Sequence, residues 1–498
     1  MRGPAQRDTL RELVVKLQIN RLRSWLSGWS AVFLGALSGF GIVLSSSQLG
    51  AIPRPHSYKW FLSIQVGTGA LAHLYLYLSI IGFVLAWWAL GAGVESGWLT
   101  VKRIAITFLA WATPFFLGVP VFSRDIYSYI AQGDLVHRGL NPYLSAPSAL
   151  GNTNILQSIA SVWRDTPSPY GPLLTMHGHL LSYIDGNSLI AQVLVYRAAA
   201  FLGVVALGLA LVPLAKRRKV DPIRALWLVT LSPLLIISVV STAHNDVYML
   251  ALVIGGVLLA DHGHRRSAYC ALALAATIKA PAFAVIGFIL VHELIRSRGL
   301  QRLWLIVEAG VMSAISIVGA TWLAGFGWFW ATPAAFKIPT SIRTVITPSI
   351  AVGSFFAQIL RALQVPISRH VLVSYFEGVF GLLAIALCIY LLKKLGRHDF
   401  LFVSGLALLG ISLLSPSLWP WYYLWAIAIL SATHLQRWTT LAVLAGLATF
   451  LAGAGGSPML GGNSFYVTAP IVLAGLWYFI RTGHAQSLFE QGFADDHD

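Results

Sequence analysis

The stretch Ser123-Arg-Asp-Ile-Tyr-Ser-Tyr-Ile-Ala-Gln-Gly-Asp134 follows an apolar run long enough to cross a membrane and opens a long loop from Phe122 to about Ser188. Asp125 is the first carboxylate after that run. In this position it suits a general base for a hydroxyl nucleophile, with Arg124 beside it for an anionic group. The same residues have a plainer reading: Ser123 caps a helix that begins at Arg124 and closes at Gly139, and Asp125 complements the dipole in its first turn. Ile126, Tyr129 and Ile130 would then give this helix an apolar face along the membrane surface.

Further polar groups punctuate the apolar runs. Asn141-Pro-Tyr143 and Thr166-Pro-Ser-Pro-Tyr-Gly-Pro172 are stiff, extended segments, either a structural lid or a frame for Tyr143, Trp163 and Tyr170 to stack on a sugar. His177 and His179 are spaced i, i+2, a weak metal signal, and no metal site or cofactor is expected. His244-Asn-Asp246 lies in a short turn between two apolar runs and suits either hydroxyl recognition or a helix cap. Lys279 stands in an apolar stretch, where an ammonium must find an anion, water or a carbonyl, and a phosphate fits that need. Lys337 and Arg343 are further candidates for it. Trp419-Pro-Trp-Tyr-Tyr423 is either a sugar platform or part of an interfacial aromatic belt.

The elements that hold these groups are set by composition. With 57% hydrophobic and 10% charged residues and a mean hydropathy of +0.73, the chain cannot fold as a soluble globule without a very large exposed apolar surface. Runs such as Trp29 to Gly50, Gly67 to Gly93, Ile104 to Val121 and Leu303 to Gly325 match a membrane span. The net charge of +16 does not imply a nucleic-acid partner here, because in a membrane chain the placement of the cations matters more than their sum. Cys270 and Cys388 both lie in apolar runs and give neither a disulfide framework nor a metal site.

The first span follows a basic N-terminus and is too long for a signal-peptide core. Residues 1–28 are expected to be a cytoplasmic amphipathic segment, with a surface helix over 8–26. Residues 29–481 form the transmembrane domain with long outer loops 122–188 and 326–370, and 482–498 form a cytoplasmic tail. Counting crossings from a cytoplasmic N-terminus puts Lys102-Arg103, Lys216-Arg-Arg-Lys219 and Arg265-Arg266 inside. Basic residues then flank Ser267 to His292 on both sides. The conflict is resolved if this run is a hairpin bent at Lys279-Ala-Pro281, where Pro281 lacks an amide donor. The expected total is about 13 or 14 helices, with the chemistry-bearing residues at the outer mouth.

The order of the segments at 123–133, Gly139-Leu-Asn-Pro-Tyr143, Pro169-Tyr-Gly-Pro172, His244-Asn-Asp246 and Lys279-Ala-Pro281 resembles the actinobacterial polyprenol-phosphomannose-dependent α-1,6-mannosyltransferases. The resemblance implies an all-α integral membrane GT-C bundle in the plasma membrane, with an extracytoplasmic active site. It also implies polyprenyl-phosphate mannose as donor and a lipid-anchored mannan of the lipomannan and lipoarabinomannan type as acceptor. Asp125 is then the expected catalytic base, and Lys279, Arg124, Lys337 and Arg343 the candidates for the donor phosphate. Tyr127, Asn141, Tyr143, Tyr170, His244, Asn245, Asp246, Trp419, Trp421 and Tyr422 are the expected sugar and acceptor contacts. The doubled acidic motif of some related enzymes is absent, since Arg124 and Ile126 flank Asp125. A lipid-linked sugar transporter is the rival reading, but the chain shows no convincing internal repeat.

Overall fold

The structure, a computed structural model, describes residues 28–52, 60–61, 69–184, 188–332, 347–434 and 438–451. The amphipathic segment expected over 8–26, the cations Lys337 and Arg343 and the tail 482–498 lie outside the described residues.

The described chain is helical, with no β-strand. The first half carries α1 (Trp29–Leu49), α2 (Ala70–Glu95), α3 (Val101–Leu117), α4 (Asp125–His137), α5 (Pro172–Ser182), α6 (Leu189–Arg217) and α7 (Pro222–Val229). Then follow α8 (Asp246–Asp261), α9 (Arg265–Ala276), α10 (Ala282–Arg296) and α11 (Leu300–Ala324). The last part holds α12 (Pro348–Ala362), α13 (Arg369–Lys394), α14 (Phe400–Leu414), α15 (Tyr423–Leu430) and α16 (Trp438–Leu451).

Among the described residues five helices, α1, α2, α6, α11 and α13, are long and apolar enough to cross a membrane. A sixth span is α7 together with Pro233–Val240, bent by 43°. The protein is thus a multi-pass membrane protein, as its composition requires. Several other apolar segments are shorter than the roughly 20 residues of a straight crossing; α8 has 16 and α9 has 12. These shorter helices carry the site at their ends.

Pro281 acts as expected. The chain breaks between α9 and α10, and the Tyr269 hydroxyl near the start of α9 donates to Glu293 near the end of α10 over 2.9 Å. The two helices therefore run antiparallel, which is the hairpin, with Arg265 and Arg296 at one end and Lys279 at the other. The same basic end is clamped by Arg218, whose guanidinium binds Asp261 at 2.7 Å and Asp399 at 2.8 Å.

The interior is joined by indoles and one arginine. Trp87 and Trp227 stack at 4.9 Å, and each donates its indole N–H to the other's carbonyl, at 3.0 and 2.9 Å. Both donors are satisfied where no water reaches. Arg197, fully buried on α6, donates to the carbonyls of Phe116, Gly118 and Ser241, each at 2.7 Å. The Ser241 hydroxyl in turn accepts the Val121 N–H at 2.9 Å. These bonds tie the segment leading to Asp125 to the segment leading to His244.

Candidate active site

The long loop folds into the end of the bundle. Ser123 Oγ accepts the Asp125 N–H at 3.2 Å and starts α4, and Gly139 ends it with φ 75°, close to the bounds read from sequence. The helix is not laid along a membrane surface, however: Ile126 to Ala131 are all buried, so most of its circumference is enclosed by protein. Glycines allow this. A Cβ on Gly133 would lie 2.6 Å from the Gly178 carbonyl oxygen, so α4 and α5 cross at backbone distance. In the Pro169-Tyr-Gly-Pro172 segment, a Cβ on Gly171 would lie 2.0 Å from the Thr277 carbonyl oxygen. The loop is therefore seated on the break of the α9–α10 hairpin, which delivers Tyr170 and Lys279 to the same place.

Two non-glycine residues with left-handed backbone flank the site: Phe122 at φ 67°, just before Ser123, and Ala243 at φ 50°, just before His244. Such conformations cost of order 1–3 kcal/mol and persist where the surroundings impose them.

Asp125 and His244 meet between these segments, with Nδ1 of His244 3.8 Å from Oδ2 of Asp125. The Tyr129 hydroxyl shares a 3.2 Å hydrogen bond with the same Nδ1. His244 stacks on Trp421 at 3.7 Å, and Trp421 on Trp419 at 5.1 Å. Burial and the Lys279 charge push the His244 pKa well down, so its imidazole is neutral. Asp125 keeps 17% of its side chain exposed. Loss of water raises its pKa to about 6; the positive charge of Lys279 and hydrogen bonds from Trp163 and Ser123 oppose that rise, while the charge of Asp246 adds to it.

Asp246 differs. It is fully buried, with Lys279 Nζ at 2.7 Å from Oδ2 and the Trp425 indole donating to Oδ1 at 2.6 Å. Lys279 also faces the rings of Tyr422 at 4.9 Å and Trp425 at 5.7 Å. The expected sugar contact at Asp246 is thus a carboxylate with both oxygens engaged inside the protein, and its visible work is to hold Lys279. Asn245, also buried, faces the Tyr170 hydroxyl.

The structure brings together Asp125, Tyr170, His244, Asn245, Asp246, Lys279, Trp419, Trp421 and Tyr422. It sets others apart. Tyr127 is buried and donates to the Ala51 carbonyl at 2.7 Å. Asn141 Oδ1 accepts the Tyr143 N–H at 3.0 Å, and the Tyr143 hydroxyl bonds Thr175 at 2.7 Å, so this pair shapes the loop. Arg124 donates to the Ser158 carbonyl at 2.8 Å. The aromatic cluster is not a lipid-facing belt, since Trp421, Tyr423 and Trp425 are buried. Sequence reasoning passed over Tyr129 and Trp425 as site residues. Both stand four residues after a chosen one, Asp125 and Trp421, the spacing that stacks side chains on one helical face. Among the described residues no three His, Cys, Asp or Glu side chains are grouped to hold a metal ion.

Residues 32–294 match the N-terminal domain of the alpha-(1->6)-mannopyranosyltransferases, and 347–482 match the MptB C-terminal domain. These matches place the chain among the glycosyltransferases that act with mannose. It belongs to the α-(1→6)-mannopyranosyltransferase family. Alpha-(1->6)-mannopyranosyltransferase A of Mycobacterium tuberculosis is 29% identical over 400 residues, which covers 76% of this chain and 75% of the relative. Alpha-(1->6)-mannopyranosyltransferase B of Corynebacterium glutamicum is 29% identical over 399 residues, 73% of this chain and 66% of the relative. No solved structure matches the chain.

Proposed function

We propose that the enzyme transfers mannose from polyprenyl-phosphate mannose to an α-1,6-mannan acceptor of the lipomannan and lipoarabinomannan type, by one inverting displacement on the extracytoplasmic side of the plasma membrane. The observation that carries this reading is the partly open Asp125 carboxylate near a half-buried Lys279 held in place by Asp246. An acceptor hydroxyl attacks the anomeric carbon, the bond from that carbon to the phosphate oxygen breaks, and the polyprenyl phosphate leaves as an anion. Asp125 takes the hydroxyl proton. A pKa near 6 makes it a better base than an ordinary aspartate while leaving it ionised at neutral pH.

The leaving phosphate needs a cation rather than an acid, since it is stable as an anion. Lys279 has the position for this role, with Asp246 keeping it in place, and Arg124, next to Asp125 in the chain, is the next candidate among the described residues. Lys337 and Arg343 remain candidates from the segment 333–346. The partly exposed Trp419, backed by Trp421, with Tyr170 and Tyr422, suits a pyranose ring. The charges support an outer site: it lies at the opposite end of α8 and of the α9–α10 hairpin from Arg218, Arg265 and Arg296, the residues the positive-inside rule favours on the cytoplasmic side.

The direct test is to incubate the purified enzyme with radiolabelled polyprenyl-phosphate mannose and a short α-1,6-mannoside, then identify the linkage. A new α-1,6 bond is expected. Transfer from a nucleotide-linked mannose, or no transfer from the lipid-linked donor, would overturn the proposed donor.

A further inference from the structure

A second charged recess lies away from this site, where α12 gives way to α13. A Cβ on Gly353 would come within 2.7 Å of Val373 Cα, so these two helices pack at backbone distance. The turn between them passes through Gln364 in a left-handed conformation, φ 58°, and folds back over the end of α12. It leaves an open recess of about 420 Å³, lined by Arg361, Gln358, Val365, Ile367, Ser368 and Arg369.

Its two cations are available. Neither guanidinium forms an ion pair with a carboxylate of the described residues. Arg369 donates through Nε to Ser354 Oγ at 3.0 Å, which fixes its direction and leaves its terminal nitrogens open to the recess. Arg361 lies seven residues after Ser354, on the same face of α12. Two guanidinium forks converging on one recess match the oxygens of a phosphate.

The surroundings identify the kind of phosphate. α13 is a 26-residue apolar helix with little of its surface buried in the protein, so most of it faces lipid. It starts at Arg369, and its own lysine pair, Lys393-Lys394, marks the other end. The recess therefore sits at one membrane interface, and the exposed apolar side chains Leu363, Val371 and Tyr375 flank it. A free phosphate would use the arginines and leave that apolar flank unused. A lipid uses both.

We propose that this recess binds the phosphate headgroup of an anionic phospholipid, with the acyl chains lying along the exposed face of α13. The occupant would brace α12. That helix of 15 residues is about 22 Å long, and at its other end Thr347 Oγ accepts the Leu418 N–H at 3.0 Å, directly before the aromatic cluster of the site.

The experiment is native mass spectrometry of the full chain released from nanodiscs of phosphatidylcholine doped with phosphatidylglycerol, comparing wild type with Arg361→Ala/Arg369→Ala. Both side chains are exposed, so the double variant should fold; Arg361→Ala alone provides a second, milder case. Wild type should retain one phosphatidylglycerol roughly thirtyfold more tightly than the double variant, taking about one surface-level cation contribution from each arginine. Equal retention by the two proteins would overturn the proposal, as would equal retention of phosphatidylcholine. Complete displacement by millimolar inorganic phosphate would also overturn it, because the recess would then be a small-anion site with no use for the apolar flank.

Discussion

Asp125 and Asp246 lie at the same end of the bundle in opposite surroundings. Asp246 is fully buried, and its two oxygens are taken by Lys279 and the Trp425 indole. Asp125 is partly exposed, has no cation bonded to it, and faces a neutral histidine across 3.8 Å. A carboxylate whose two oxygens are bonded to a cation and an indole has no free oxygen left to offer a substrate. One that is desolvated without such a partner has its proton affinity raised. Under the proposed mechanism, one chain spends one acidic side chain on architecture and keeps another for chemistry, within reach of the same lysine charge.

The most damaging way to break the contrast is at Asp125 itself. Asp125→Asn keeps the size and the hydrogen bonds but removes the proton acceptor, so turnover should fall by about 10²- to 10⁴-fold. Donor binding and thermal stability should stay near wild type. Near-normal turnover in a folded variant would remove Asp125 from the mechanism.

Breaking the other carboxylate should act on stability first. Lys279→Met leaves Asp246 buried without its cation, a change expected to cost about 3–5 kcal/mol. Adding Asp246→Asn should return most of that loss, measured by unfolding in detergent. Transfer should stay depressed in the double variant, because the phosphate would still lack its cation. Full recovery of transfer together with stability would make Lys279 a purely structural partner of Asp246.

A pH profile sharpens the same comparison. Only the ionised form of Asp125 can accept a proton, and its pKa in the free enzyme is raised to about 6, so kcat/KM should be half-maximal near that pH. It should fall about tenfold per unit below. A profile that stays flat well below that pH would mean that the carboxylate titrating at Asp125 is not the one that limits the reaction.

The smallest effect is expected at Tyr129. Tyr129→Phe removes one hydrogen bond to His244 and little volume, worth about 0.5–1.5 kcal/mol, or a few-fold in turnover. A loss as large as that of Asp125→Asn would instead make the tyrosine a direct participant in the proton transfer.

Much of this was legible in the sequence where the cause is local. Ser123 and Gly139 bound the helix because a cap and a left-handed stop are short-range signals. Pro281 marks the hairpin for the same reason, and basic residues on both flanks indicate which ends meet. The pairing of Asp246 with Lys279 and Trp425 could not be read, because nothing in a periodic pattern reports contacts between residues 33 and 179 positions apart. Tyr127, an expected sugar contact, is enclosed and bonded to the Ala51 carbonyl, a contact 76 positions away that no local pattern reports. Phe122 and Ala243 gave no warning either, since left-handed backbone is normally signalled by glycine.

The separation of Asp246 from its partners has a consequence for biogenesis. At a synthesis rate of about 5–20 residues per second, Lys279 follows Asp246 by roughly 2 to 7 s and Trp425 by roughly 9 to 36 s. In that interval the nascent α8 carries a carboxyl group with no counter-ion, which a bilayer tolerates best protonated or held at the headgroup level. Insertion of the α9–α10 hairpin ends that state by delivering the lysine, and docking of α15 completes it. The ion pair therefore also sets an order in membrane assembly: until the hairpin has entered, the turn that carries His244 is held by the earlier Arg197 and Ser241 bonds, while the carboxylate beside it lacks its cation.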